Sequence, residues 1–357
     1  MGPLEGIRVI EMAGIGPAPF AAMVLADLGA DVVRIVRPGT SVDPRDIVSR
    51  SRPSVEIDIS QAVGQASALT LIEKADILIE GFRPGVMERN ALGPAECHQV
   101  NPRLVYGRMT GWGQTGPLSQ AAGHDINYIA ITGALHSIGR QDECPPPPLN
   151  FIGDFGGGGM MLVVGVLAAL HEAAHSGRGQ VIDAAMSDGT TLLSAFIHGL
   201  RAQGLWSTER GNNLLDGAAP FYDTYRCSDG HFIAVGAIEA KFYNELRRLC
   251  GLEDELFDDQ MNTARWNAQK EGLAKIIATR SRAQWSTLLE GTEACFAPVL
   301  DWDEAPEHAH NRSREAFISI DGTLHPAPAP RFSRTMTATP ESAYREPLAS
   351  ILQRWRG

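Results

Sequence analysis

The chain has 357 residues, 44% of them hydrophobic and 20% charged, the balance of a globular protein with core material for two domains. Its formal net charge of −11 argues against a nucleic-acid partner and leaves local arginine clusters as the way to hold a polyanion. The five cysteines are scattered, with no CxxC or Cys/His zinc spacing, which excludes a disulfide scaffold and a zinc site and suits a reducing compartment.

Residues 7–12 (IRVIEM) form a short apolar run ending at glycine, the pattern of a strand. A helix is expected over 17–28, with proline at its start and Gly29 stopping it, then a strand at 31–36 (DVVRIV). Strand–helix–strand order implies a parallel sheet. The intervening turn, Gly14-Ile15-Gly16-Pro17, lacks the third glycine of a dinucleotide fingerprint and reads as a turn that needs glycine. Further strands are expected at 55–59, 76–80 and 104–109, with a helix at 62–74 and Pro84 opening another, so the alternation is that of a doubly wound α/β domain.

Residues 125–138 have helical periodicity. Glycines 156–159 precede a long apolar helix over 160–175, whose apolarity all round implies burial in the core or at an interface. Its most apolar run, 160–170, is too short to span a bilayer, so no membrane association is expected. A strand is expected at 180–185 and a helix at 190–204; 206–219, rich in Gly and Asn, reads as a linker. Ser228-Asp229-Gly230 lies between two strand-like runs and signals a hairpin. Helices over 241–250, 264–279 and 282–289 and a strand at 296–300 complete a smaller α+β domain. PAPAP at 326–330 is extended, and 342–355 looks helical. The expected division is a large domain of 1–195 plus 318–357, a small domain of 219–312, and linkers at 196–218 and 313–330. The N-terminal MGPLEGIRVIEMAG has no basic run and the RWRG ending is no peroxisomal address, so a cytoplasmic location is expected.

Chemistry concentrates between Met109 and Gly159. His124 and Asp125 sit beside Gly123 at a helix start, with Asn150 and Asp154 further on. Two weak bases on opposite sides of one carbon can remove a proton from one face and return it on the other. Such chemistry needs an acidified C–H and hydrogen-bond donors for the enolate oxygen, and a helix start at Asp125 offers backbone N–H groups. The same residues admit a plainer reading, with Asp125 as a helix cap. Glu239 follows a strand and either orients His124 or simply favours the dipole of the next helix. Arginines 34, 37, 50, 52, 83 and 89 crowd the first domain of an acidic chain and suit phosphate groups or ion pairing alike. The glycine run 156–159 permits close approach of either a ligand or a packed helix, and no GK[ST] follows it.

At these residues the chain resembles the α-methylacyl-CoA racemases of the class III CoA-transferase (CaiB-BaiF) superfamily. The resemblance rests on GPAPFAAMVLADLGADVVRI, MTGWGQTGP, GHDINY, PPLN, GDFGGG, GQVIDAAM, LDGAAPFYDTY, AVGAIEAKFY and APVL, in that order over nearly the whole chain. It implies a Rossmann-like large domain plus a smaller α+β domain, in two chains interlocked as a homodimer. It implies that His124 and Asp154 are the two acid–base residues, His124 on the S side and Asp154 on the R side. Glu239, from the other subunit, would pair with His124, and Asn150 would support Asp154. Arg37, Arg83 and Arg89, with Ile57, Asp58, Ile59 and Ser60, would bind coenzyme A. Gly123, Asp125, Ile126, Asn127 and Tyr128 would line the same site, the backbone at Asp125 holding the enolate. No metal or separate cofactor is implied, since CoA is part of the 2-methylacyl-CoA substrate. Val36, Arg52-Pro53, Ser60 and Asn90 depart from the family's usual residues. A CoA-transferase with Asp154 as nucleophile is the alternative, and a non-enzymatic CoA-binding protein a third.

Overall fold

The computed structural model describes residues 2–337 and 339–356; Met1, Ala338 and Gly357, which fall within the expected large domain, lie outside the described residues. Packing divides the chain into two units. The first runs to Ala134, takes in Pro147–Ala195 and resumes from Glu315; the second holds Leu135–Pro146 and Phe196–Arg314.

The first unit is built on a seven-stranded sheet. Its strands are β1 (Arg8–Met12), β2 (Asp31–Val36), β3 (Pro53–Glu56), β4 (Ile77–Glu80), β5 (Val105–Thr110) and β6 (Val181–Ala185), with β12 (Tyr344–Arg345) at one edge. The order is β12-β3-β2-β1-β4-β5-β6 and the pairings are parallel. Strands covered on both faces need unbroken apolar runs, and β4 is buried at every position. The helix Pro17–Asp27, proline-led as expected, lays Ala18, Ala21, Ala22 and Leu25 on one face beside Leu162 and Val166. Ala68, Leu71, Cys97, Ile351 and Trp355 fill the other face, so the C-terminal helix Leu348–Arg354 does return to this unit. Because order reverses between β1 and β4, the crevice beyond their carboxyl ends is the natural ligand site.

Several elements differ from expectation. The helix from Asp125 stops at Ala130, and Gly133 turns the chain at φ 87°. The glycine run is not a loop: Phe151–Met160 is π-helical and continues into the α-helix Met161–Ser176. The joined helix of 26 residues, with an 18-residue stretch of mean hydropathy 1.7, is by length and composition able to cross a membrane, which the run 160–170 alone is not. Here it packs on the sheet, with Leu162 and Val166 over Gly107 of β5. Its apolarity is not matched by burial all round, since Val164 is 56% exposed. Residues 313–330 are no plain linker, because β10 (Phe317–Ile320) and β11 (Thr323–Pro326) form a hairpin. Asp321-Gly322, both at positive φ, is the turn signal that betrays it.

The second unit carries a three-stranded antiparallel sheet, β7 (Tyr222–Arg226), β8 (Phe232–Gly236) and β9 (Phe296–Pro298). The β7–β8 hairpin turns at Gly230, φ 85°. Helices Ala240–Cys250, Trp266–Ile277 and Arg282–Leu289 pack Leu246, Ile277 and Trp285 against it. The segment 196–218 packs within this unit, as does 135–146, which lies inside the range expected for the large domain. Arg210 binds them together, donating to the carbonyls of Arg140 (2.9 Å), His136 (3.0 Å) and Glu143. Arg140 in turn makes two 2.8 Å bonds to Asp223 on β7.

Candidate active site

A cleft of about 510 Å³ opens in the first unit at the switch point. One wall is the turn after β1, Ile15 to Ala18; the facing wall is Gly81-Phe82-Arg83-Pro84 after β4. Gly16 has φ 73°, a conformation that an L side chain adopts only with strain. A Cβ on Gly16 would also stand 3.3 Å from Asp154 Oδ2, so this turn needs glycine to bring the chain beside the aspartate. The floor is Met109, Met186 and the MTGWG turn after β5. Gly111 leaves room for the Tyr128 ring, which a Cβ would meet at 2.0 Å, and Trp112 packs edge-on against that ring at 4.8 Å.

His124 and Asp154 both line this cleft. His124 stands at the N-cap of the short helix Asp125–Ala130, and its backbone N–H donates to Asn127 Oδ1 at 3.1 Å. Asp154 lies in the first turn of the π-helix. Such segments occur at functional sites because the wider turn re-aims one side chain. Three of the four glycines serve packing. Gly157 abuts Thr190 and the Met186 carbonyl, Gly158 lies against Pro17, and Gly159 against Phe20 and the Pro17 carbonyl. The glycine run therefore presses the π-helix against its neighbours, which holds Asp154 at the cleft.

Asp154 is half-buried, and burial is the largest influence on its carboxyl, raising its proton affinity above the usual aspartate range. Asn150 Nδ2, 3.2 Å from Asp154 Oδ2, pulls it down, the Asp125 charge raises it, and His124 lowers it. A carboxyl moved towards neutrality beside a histidine suits a group that must both give and take a proton.

The other expected residues fall into three groups. Arg83, Gly123, Asn127 and Tyr128 line the cleft. Arg37, Asp58 and Ser60 are exposed, Ile57 is buried and Ile59 partly so; Arg37 is close enough to lower the Asp58 carboxyl, which also accepts from Ser60 N and Oγ. Arg89 ends the helix Val86–Arg89, which starts after Gly85 in the left-handed conformation rather than at Pro84. Ile126 is exposed. Glu239 lies in the second unit, exposed at the N-cap of Ala240–Cys250, and its side chain makes no capping bond.

One expectation is corrected and one open alternative is decided. Asp125 is not a helix cap: its side chain is buried and Oδ2 accepts the Asp154 backbone N–H at 2.6 Å. Of the two readings left open for the first-domain arginines, ion pairing holds for Arg34, Arg50 and Arg52. Arg52 is fully buried, bound to Glu11 at 3.2 Å and to the carbonyls of Pro19 and Val48. Arg50 pairs with Asp27 and donates to the Pro326 carbonyl at 2.6 Å. Sequence reading missed Glu80 and Arg108. Glu80 closes β4 and accepts the Phe82 N–H at 2.7 Å, so it shapes the wall that carries Arg83. Its acidic position at the end of an apolar strand was the available signal.

A doubly wound sheet whose switch-point cleft presents a histidine and a half-buried aspartate is the frame of an acid–base or acyl-transfer enzyme. Residues 4–349 match the model of CoA-transferase family III, and the chain belongs to that family. It is 48% identical over 345 residues to the alpha-methylacyl-CoA racemase of Mus musculus, covering 96% of this chain and 90% of the relative. Against the Homo sapiens alpha-methylacyl-CoA racemase the identity is 45%, over 93% of this chain and 87% of the relative. The crystal structure of a CAIB/BAIF family protein from Brucella suis has the same fold, with a TM-score of 0.85, 24% identity and 99% of each chain covered.

Proposed function

We propose that this chain is a racemase that interconverts the 2R and 2S forms of 2-methylacyl-CoA thioesters by 1,1-proton transfer. The observation that carries this reading is that His124 and Asp154 line one cleft, with Asp154 drawn towards neutrality. The identity to two alpha-methylacyl-CoA racemases over nearly the whole chain supports it. His124 takes the α-proton of the S epimer while protonated Asp154 supplies one to the opposite face; the R epimer reverses the roles. The thioester carbonyl acidifies that proton, and the backbone N–H of Asp125, first in its helix and without an intrahelical partner, receives the enolate oxygen. No redox step or metal ion enters this scheme.

Arg83 in the cleft wall, with Arg37 and Arg89 near the same strand ends, supplies the cationic surface for the coenzyme phosphates. Ile57 to Ser60 lie at the carboxyl end of β3 and form the neighbouring edge. We further propose a homodimer in which Glu239 of one chain orients His124 of the other. The exposed apolar side chains of the first unit, Ile131, Leu149, Phe151, Val164 and Leu192, favour such association. A cytoplasmic location completes the proposal.

The test is incubation in D₂O with each epimer of a 2-methylacyl-CoA, followed by proton NMR. Exchange of the α-proton and appearance of the other epimer are expected. Folded protein that leaves the α-proton untouched overturns the reading. The transferase alternative draws on relatives such as the acetyl-CoA:oxalate CoA-transferase of Acetobacter aceti, 28% identical over 91% of this chain. That reading instead expects acyl exchange with a free acid and a hydroxylamine-sensitive adduct at Asp154.

A further inference from the structure

Asp125 is buried, yet it is bound by little. Its Oδ2 accepts the backbone N–H of Asp154 at 2.6 Å, and among the described residues Oδ1 has no hydrogen-bond partner. The carboxylate does not cap its own helix, where His124 holds the N-cap position. Gly153 makes the contact possible: a Cβ there would lie 2.6 Å from Asp125 Oδ2 and 2.9 Å from its Cγ. One side chain thus joins the helix start that bears His124 to the π-turn that bears Asp154.

A buried acid with one unsatisfied oxygen is unfavourable for stability, and a neutral acceptor would satisfy a single backbone N–H equally well. The negative charge therefore calls for a function. A free histidine holds its proton about 400-fold more tightly than a free aspartate. Reversible transfer between two faces requires both one-proton states of the pair, proton on His124 or proton on Asp154, to be accessible. The Asp125 carboxylate, bonded to the Asp154 backbone, acts on the Asp154 carboxyl so as to favour the second state.

We propose that Asp125 is a positioning residue of the proposed racemase: its carboxylate ties the two acid–base groups together and equalises the two one-proton states between which catalysis moves. The groups that face Asp154 are His124 and Asp125 from one helix start, Asn150 from the entry to the π-helix, and Tyr128, whose hydroxyl feels the Asp154 charge. Of these, Asp125 is the one whose charge raises Asp154, and His124 and Asn150 act against it.

The proposal rests on the racemase reading and is tested alongside it. The first measurement is the pH profile of kcat/KM for each epimer in wild type, Asp125→Asn and Gly153→Ala, with circular dichroism to verify folding. Both directions use the same singly protonated pair, so their limbs coincide. Loss of the Asp125 charge should move the acid limb of both profiles about one pH unit lower. Gly153→Ala displaces the carboxylate without removing it and should shift the limb the same way. An unmoved limb in folded variants, with only a lower plateau, overturns the proposal. The second measurement needs no turnover: difference infrared titration of the Asp154 carboxyl against Asp154→Asn, in wild-type and Asp125→Asn backgrounds. A lowered Asp154 titration in the Asp125→Asn background supports the coupling even where wild type shows no α-proton exchange, a result that removes the racemase reading alone. Exchange with an unchanged titration removes the coupling alone.

Discussion

Arg108 on β5 places its Nε 3.0 Å from Glu80 Oε1 at the end of β4, with both side chains almost closed to solvent. Glu80 Oε2 accepts the Phe82 N–H, and Arg108 Nη1 reaches Glu88 Oε1 at 2.8 Å, so one arginine braces the cleft wall and the helix beyond it. Burial pushes the Glu80 carboxyl up from 4.5 to about 7, against the pull of the Phe82 N–H and Arg108. A carboxyl raised in the folded state binds protons more tightly there than in the unfolded chain. Its stabilising contribution is therefore complete below pH 4.5 and falls as pH rises to about 7. Relative to Glu80→Gln, which does not titrate, wild type should lose roughly 3 kcal/mol across that window. Urea unfolding of both proteins at several pH values reads this directly; parallel curves would contradict it.

Arg52 is enclosed with Glu11, and both are fully buried. Arg52→Met removes one of the two arginine charges, with that of Arg34, that offset buried Glu11, and should destabilise the protein by about 3 kcal/mol. The effect should appear in the denaturation midpoint. Coenzyme A affinity per remaining folded protein, measured by calorimetry, should stay unchanged, which separates this core arginine from Arg83 in the cleft.

Gly189 tests the packing account of the π-helix. A Cβ at 189 would stand 1.8 Å from the Gly157 carbonyl oxygen, a backbone atom that cannot move aside alone. Gly189→Ala should cost about 1–3 kcal/mol by overpacking and displace the Asp154 turn. Exchange activity should fall along with thermal stability. Full activity in Gly189→Ala would show that Asp154 does not depend on this contact.

His124→Ala and Asp154→Ala should each reduce α-proton exchange by about 10²–10⁴-fold. Asn150→Ala makes a finer test. Its amide holds the Asp154 carboxyl down, so its removal should raise that carboxyl and move the acid limb of the exchange profile to higher pH. This is the opposite of the shift expected for Asp125→Asn. Shifts in the same direction in the two variants would mean that at least one of them does not act through the charge on Asp154.

Arg83 lines the cleft from the β4 turn. Arg83→Met should raise KM for acyl-CoA substrates and weaken their salt dependence, with kcat little changed, as expected for a residue that holds phosphate rather than the reacting carbon. Steady-state kinetics at two ionic strengths provides the measurement.

The sheet of the first unit was legible in the sequence because parallel strands buried on both faces leave apolar runs such as Ile77-Leu78-Ile79, and because Pro17 and Gly29 mark helix ends. The 7-to-8 hairpin was legible from Ser228-Asp229-Gly230. His124, Asn150 and Asp154 stood out as polar residues in glycine-rich turns, and the motif resemblance assigned their roles. The sequence could not separate Arg52 from Arg83. Both are arginines near prolines in the first unit, and only the packed structure encloses one with Glu11 and leaves the other in the cleft. Nor could periodicity reveal that Gly156 to Gly159 continue a helix, because glycine is a poor helix former and its place there depends on neighbours that approach too closely for a Cβ. Asp125 shows the same limit. Its residue type and position are those of a cap, and the bond to the Asp154 backbone exists only because two segments 29 residues apart meet. Local chemistry set the strands, the helix starts and the candidate bases; which charges are buried and which acid faces which was decided by tertiary packing, where desolvation and contact between distant segments determine what a side chain does.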